Sequence, residues 1–179
     1  MKTNLIIFNI LLPLISFGQY GDRFEPQFFL ARQPSAPAEA MGKAYVSLDG
    51  DLGSIFFNPA GIATIEKIQL YTSYTPPPAY FAIKGLYLFN AFSYKIKPYF
   101  NVALSSFRFN VGENDFHEKL YDEKLTLTIS GEPFKNLLLG FNTSYFTWTP
   151  RPGTATHPLF FDFGFIKKFP IGLQTTTVY

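Results

Sequence analysis

Cysteine is absent from this chain of 179 residues, which excludes a disulfide framework, a cysteine-ligated zinc site and a cysteine nucleophile. Charged residues are scarce at 16%, against roughly 25% in a typical soluble domain. The formal net charge is only +2, so no basic surplus favours nucleic acid as a partner. Aromatic residues are abundant instead: 22 Phe, 11 Tyr and 1 Trp make up 19% of the chain. This composition argues against intrinsic disorder, because disordered chains are poor in aromatic residues and rich in charge.

Residues 1–18 have the pattern of a secretory signal peptide. Lys2 supplies the positive charge, residues 5–15 form an apolar core, and Ser16 and Gly18 put small residues before a cleavage site. The apolar core is too short for a transmembrane helix, which needs about 20 residues. We therefore expect export of the chain, with Gln19 as the first mature residue.

From residue 67 onward, apolar residues alternate with polar or small ones, which predicts β-strands. Within residues 124–130, for example, Leu125, Leu127 and Ile129 share one face, and Thr126 and Thr128 lie on the other. The predicted strands are 68–74, 86–96, 99–110, 124–130, 137–148 and 160–166, with the start of a seventh in 172–179. The apolar phase changes between Leu104 and Phe107, which predicts a bulge near Ser105 and Ser106.

The connections between these strands alternate in length. The segments 75–85, 111–123 and 149–158 are long, whereas 97–98, 131–135 and 167–170 are short. Bacterial outer-membrane β-barrels have short periplasmic turns and longer extracellular loops, and strands of about 9–11 residues span a membrane. The fold class expected is therefore all-β: an antiparallel up-and-down membrane β-barrel portion of about six strands.

Two difficulties accompany this expectation. Single-chain barrels have about eight strands or more, and open sheet edges do not occur in lipid. Residues 67–179 are therefore expected to be an incomplete part of a larger barrel, or to close by self-association. A secreted soluble β-sandwich remains the structural alternative, because its strands also alternate.

Residues 19–66 differ from the strands because they are rich in small residues and interrupted by turns. A short helix is predicted to end at Gly42, a short extended piece to occupy residues 44–48, and a turn to lie at residues 49–51. One or two helical turns are expected over residues 51–57, ended by Asn58 and Pro59. This segment therefore precedes the strands as a compact unit with little regular structure.

One run in this segment carries a family resemblance. The residues 38–48 (AEAMGKAYVSL), then Asp51, then 54–62 (SIFFNPAGI) resemble the opening of the FadL/PorV superfamily of outer-membrane β-barrels. The family pattern is a small-residue A-M-G-x-A run, an acidic turn, and an aromatic residue followed by Asn-Pro-Ala-Gly. Residues 58–61 (Asn58, Pro59, Ala60, Gly61) match the last element, Met41, Gly42 and Asp51 match the earlier ones, and Lys43 departs from the pattern.

A second run, residues 107–113 with Tyr121 and Asp122, resembles an outward hairpin of the PorV-like branch, which acts in type IX secretion. The resemblance implies that the segment before the strands is a plug inside the barrel, joined to the wall at residues 58–61. It also implies that outer-loop residues contact the secreted cargo. The candidates for that contact are Phe107, Arg108, Asn110, Glu113, Tyr121 and Asp122.

No catalytic, cofactor-binding or metal-binding residue can be assigned. His117 and His157 have no partner at the spacing of a metal site or a catalytic triad, and we expect no enzymatic activity. The expected function is therefore transport or protein secretion across the bacterial outer membrane, as a PorV-like carrier. The expected partners are membrane lipid, the barrel assembly machinery, and a secreted protein cargo or a hydrophobic small molecule. The alternatives are a FadL-type transporter of hydrophobic small molecules and a soluble β-sandwich binding module.

Overall fold

The computed structural model describes residues 34–76, 86–97, 99–113, 119–147, 157–169 and 174–178. The predicted signal peptide and residues 19–33 lie outside these ranges. Most of the long connections at 75–85 and 149–158 also lie outside them.

Seven antiparallel strands form one sheet in which each strand pairs with the next along the chain. The strands are β1 (Ile68–Thr75), β2 (Leu86–Lys97), β3 (Phe100–Glu113), β4 (Lys119–Phe134), β5 (Leu137–Thr147), β6 (Leu159–Lys168) and β7 (Gln174–Val178). The prediction of an antiparallel up-and-down sheet is confirmed. Among the described residues, β1 and β7 lie at opposite edges, so this sheet is not closed into a barrel.

The strands β3 and β4 extend further than their hydropathy indicated. The segment 111–123 was expected to be a long loop, but residues up to Glu113 and from Lys119 onward belong to the paired strands. In this extension Arg108 lies opposite Glu123, and Asn110 lies opposite Tyr121. Polar residues are compatible with a strand here because cross-strand pairs of opposite charge stabilise a sheet.

The bulge expected near Ser105 and Ser106 is not present, and this prediction was wrong. The pairing of β3 with β2 and β4 is regular through both residues. Phe107 is buried on the same face of β3 as Asn101 and Ser105. That face simply changes from small polar to aromatic along the strand, so the hydropathy pattern inverts without any change of register.

Residues 34–66, called here the leading segment, have three short helical elements. Helix α1 (Ala36–Ala40) begins after Ser35, whose side chain accepts a hydrogen bond from the amide of Ala38, and is followed by Gly42 at φ 61°. Two 3₁₀ helices follow, at Leu52–Phe56 and Pro59–Ile62, so the predicted helical turns after Asp51 are confirmed. The extended piece expected at residues 44–48 is wrong, because Val46 and Ser47 form a turn closed by the bond from the amide of Leu48 to the carbonyl of Tyr45 at 3.2 Å.

Candidate functional site

The two faces of the sheet differ in chemistry, and the leading segment covers one of them. The covered side is called the inner face, and the opposite side the outer face. Buried polar residues of the inner face are small; they are Ser93, Asn101, Ser105, Thr126, Thr128, Ser130, Asn142 and Ser144. Large apolar residues are exposed on the outer face; examples are Leu70, Phe92, Leu104, Leu125, Leu127, Ile129, Phe141, Phe161 and Phe163. A water-soluble sheet packed on a core would instead present polar side chains on its outer face.

Side chains of three strands hold the backbone of the leading segment. Asn101 of β3 donates from Nδ2 to the carbonyl oxygens of Ile62 at 2.9 Å and Ala63 at 2.7 Å. Ser130 of β4 donates to the carbonyl of Ala60 at 3.3 Å. The bond to Ala63 satisfies a carbonyl that lies away from water, where an unpaired group would cost about 1–3 kcal/mol. The carbonyls of Ala60 and Ile62 also accept from the backbone amides of Ala63 and Ile65.

Asn142 of β5 extends this arrangement to the first 3₁₀ helix. Its Nδ2 donates to the carbonyl of Ile55 at 3.1 Å, and its Oδ1 accepts from the hydroxyl of Thr128 at 2.7 Å. The next residues along the same face, Thr126 and Ser144, are joined by a hydroxyl contact of 2.9 Å. The amide of Asn142 is therefore fixed in orientation by its neighbour on β4, and its donor points at the leading segment.

Residues 58–61 make the closest approach to the sheet. Asn58 is fully buried, and its Oδ1 accepts from the amide of Ala60 at 3.0 Å, which caps the second 3₁₀ helix. Its Nδ2 donates to the carbonyls of Val46 at 2.9 Å and Phe165 at 3.3 Å. One side chain therefore joins two turns of the leading segment to β6.

A pair of glycines makes room for this contact. Gly140 of β5 and Gly164 of β6 lie directly opposite each other in the sheet. A Cβ atom at Gly140 would overlap the backbone of Pro59, and one at Gly164 would overlap Asn58. The two glycines form a notch in which the Pro59–Ala60 peptide and the side chain of Asn58 are seated against the strand backbones.

At the long-loop end of the sheet, the inner face is aromatic. Phe107 is 2% exposed, and its ring lies 5.6 Å from Phe56 of the leading segment in an edge-to-face arrangement. Tyr87 stacks on Phe109 with centroids 4.1 Å apart. Phe89 and Phe146 complete the cluster. Apolar packing therefore replaces the hydrogen bonds that hold the segment at the other end.

An ion pair lies between the polar and aromatic parts of the inner face. The Nζ of Lys124 is 3.8 Å from Oδ2 of Asp162, and it lies 5.8 Å from the ring centroid of Phe56. Asp162 also accepts from Asn142 at 3.3 Å. The charges are thus compensated within the face.

Tyr45 is the buried titratable side chain of the leading segment. Its ring contacts Phe57, with centroids 5.4 Å apart. Burial raises the pKa of Tyr45 to about 12, and the negative charge of Asp51, to which its hydroxyl is hydrogen-bonded, adds to the shift. Tyr45 is therefore held in its neutral form.

The cargo-contact candidates lie in the strands β3 and β4, and not in a loop. Phe107 is buried against Phe56 and is not presented to a partner. Arg108 is half exposed; its guanidinium pairs with Glu123 at 2.9 Å and lies 5.2 Å from the ring centroid of Tyr121, which is exposed. Asn110, Glu113 and Asp122 occupy paired positions of the same two strands.

The leading-segment residues named in the sequence analysis differ in burial and in their contact with the sheet. Asn58, Pro59, Ala60 and Gly61 are all buried at the sheet. Asp51 caps the first 3₁₀ helix by accepting from the amide of Gly53. Met41 is exposed and Gly42 follows it at the end of α1, so neither contacts the strands through a buried side chain.

Sequence reasoning missed the strand side of this contact: Asn101, Ser130, Asn142 and the two glycines of the notch. A signal was present, because Asn and Gly are depleted in strands. At inward positions they indicate that another segment of backbone lies close to the sheet. The described residues contain no group of three or more side chains able to hold a metal ion. In the described part of the chain, no helix has the length and hydropathy to cross a membrane.

No known protein family, no curated protein and no solved structure matches this chain.

Proposed function

We propose that this chain forms part of the wall of an outer-membrane β-barrel of the FadL/PorV type, with the leading segment as a plug on the lumen side. The observation that carries the proposal is the exposed apolar outer face of the sheet. Large apolar side chains are exposed on the outer face, while Asn, Ser and Thr lie under the leading segment. A membrane strand has this arrangement, because its outward residues face lipid and its inward residues face a polar interior.

The extent of the apolar exposure supports this reading. Leu70 is 78% exposed, Phe161 63% and Leu104 59%, and these residues lie on different strands of one continuous face. Soluble monomers rarely expose a contiguous apolar patch larger than about 300–600 Å². A lipid environment removes this difficulty, because the acyl chains replace water around the same side chains.

The β-sandwich alternative needs a second sheet to cover the apolar face. The described residues form a single sheet, and Phe161 and Phe163 are exposed on it. Within the barrel proposal, the edges β1 and β7 are paired with further strands or with another copy of the chain, because unpaired edges are not tolerated in lipid.

For the activity, we favour a PorV-like carrier acting in protein secretion across the outer membrane. The resemblance of residues 38–62 motivates this, and Arg108 and Tyr121 give the long-loop end an exposed polar and aromatic surface. The second candidate is a FadL-type transporter of hydrophobic small molecules. The aromatic cluster around Phe107 favours it, since the cluster would become an apolar binding surface if the leading segment moved away.

Fractionation of cells that express the full-length chain tests the membrane assignment. We expect the mature protein in the outer-membrane fraction, resistant to carbonate and urea washing and released by detergent. A stable monomer recovered from the soluble fraction would overturn the assignment.

Purification in mild detergent separates the two activities. A secretion carrier should co-purify with a secreted protein, and Arg108→Ala together with Tyr121→Ala should weaken that association, while Thr143→Ala on the outer face should not. A transporter should instead carry a lipid or another hydrophobic molecule detectable by mass spectrometry. Co-purification of the small molecule alone would exclude the carrier in favour of the transporter.

A further inference from the structure

Lysines gather at one end of the sheet. Lys67 precedes β1, Lys95 lies near the end of β2, Lys135 lies in the turn between β4 and β5, and Lys167 and Lys168 end β6. In an up-and-down antiparallel sheet these positions all lie at the same end, which is the end of the short turns. Among the described residues, the acidic residues there are Glu66, Glu132 and Asp49, against five lysines, so the end carries a positive surplus.

Backbone and side-chain contacts place four of these lysines in two pairs. The amide of Lys95 donates to the carbonyl of Lys67 at 2.9 Å, and Nζ of Lys167 reaches the carbonyl of Lys135 at 3.4 Å. Lys168 is neutralised by Asp49, with Nζ 2.6 Å from Oδ2. Within the described ranges, no ion pair involves the other four lysines, so their charge is uncompensated.

Exposed aromatic residues accompany the lysines at this end. Tyr94 and Tyr99 flank the turn between β2 and β3, and Phe134 precedes the turn between β4 and β5. Aromatic side chains are favoured at the boundary between acyl chains and headgroups. The ring of a tyrosine is apolar, and its hydroxyl group can bond to water or headgroups. At the opposite end, in the part that the structure describes, the exposed Arg108 is paired with Glu123.

We propose that the short-turn end of the sheet is a contact surface for the phosphate groups of anionic phospholipids. The aromatic residues would lie at the headgroup level, and Lys67, Lys95, Lys135 and Lys167 would reach the phosphates beyond it. The inference rests on the membrane assignment above. It adds that the lipid is anionic and that the short-turn end of the sheet contacts it. Complementary charge is the basis of recognition, because a lysine near an anionic leaflet contributes favourably at ordinary ionic strength.

The test uses the full-length chain folded into vesicles of phosphatidylcholine alone or with phosphatidylglycerol added. We expect a larger inserted fraction with the anionic lipid, and loss of the difference in high salt. The variant Lys67→Asn/Lys135→Gln/Lys167→Gln should lower the advantage of the anionic vesicles by roughly fivefold for each lysine removed. Asn is used at residue 67 because the backbone there has φ 65°, which Asn tolerates.

The matched control is Glu66→Gln, an exposed carboxylate at the same end, which should increase the preference for anionic vesicles. Equal insertion of the native chain in both kinds of vesicle would overturn the lipid-charge inference while leaving the membrane assignment in place. The same conclusion follows if the triple variant keeps the full preference. Failure of the native chain to insert into either vesicle would overturn both.

Discussion

An arginine at Leu127 distinguishes a lipid-facing surface from a water-facing one. Leu127 lies midway along β4, is 43% exposed on the outer face, and is opposite Leu104 and Thr143 in the sheet. No inner-face contact is disturbed by the change, because the side chain points away from the leading segment. The effect of Leu127→Arg therefore reports on the medium outside the sheet.

The two media predict different magnitudes. On the lipid face of a barrel, an arginine near the bilayer midplane costs about 2–4 kcal/mol, which lowers the folding equilibrium constant roughly 30-fold to 900-fold. On a surface exposed to water, such a substitution changes stability by about 0.5 kcal/mol or less. The gap between these values exceeds the error of a denaturant titration.

The assay is urea unfolding of the full-length chain in vesicles, followed by the fluorescence of its single Trp. Tyr74→Arg is the matched control, because Tyr74 is exposed on the same face but lies at the end of β1. There an arginine should cost about 0–1 kcal/mol. Equal and negligible effects of both variants would refute the reasoning, since they would show that Leu127 faces water.

Further predictions concern the leading segment. Gly164→Ala should destabilise the fold by about 1–3 kcal/mol, because the added Cβ overlaps Asn58 and comes within 2.9 Å of Pro59; unchanged protease resistance of the segment would contradict this. Asn58→Asp keeps the cap on the second 3₁₀ helix but removes both donors, and it should cost about 1–3 kcal/mol in urea unfolding; a neutral effect would show that the donors contribute nothing. The pKa of Tyr45 is raised to about 12 in the folded state against about 10 in the unfolded state. Its contribution to the free energy of unfolding should therefore be fully present below pH 10 and decrease between about pH 10 and 12. Tyr45→Phe should remove that fall, measured as the urea midpoint against pH, and an unchanged pH dependence would refute the assignment.

The strand positions and their outward faces could be predicted because alternation depends on neighbours in the chain. Leu125, Leu127 and Ile129 were placed together correctly, and they are exposed together. The start of β4 was mispredicted because Glu123 is paired with Arg108 across the sheet, and the hydropathy pattern of a single strand does not include its partner. The wrong prediction of a bulge had a similar origin. Phe107 occupies an inward position because its ring packs on Phe56 of the leading segment, a contact that the strand sequence alone does not show.

The candidate contact was predictable on one side only. The Asn58–Pro59 pair has a local signature, because an Asn before a Pro both ends one helical turn and caps the next. The notch formed by Gly140 and Gly164 has no local signature in the sequence, since the register of β5 and β6 brings the two glycines together. A glycine inside a strand indicates a close approach of backbone, but it does not name the segment that approaches.

The bond from Asn58 to Phe165 spans 107 residues of chain, and it sets an order of events during folding. The leading segment is synthesised before every strand, yet its seat exists only after β5 and β6 have paired. Closing so long a loop is slow compared with forming neighbouring hairpins. The leading segment therefore reaches its final place only after strands that are synthesised later have paired, and until then the side chain of Asn58 lacks its partner on β6.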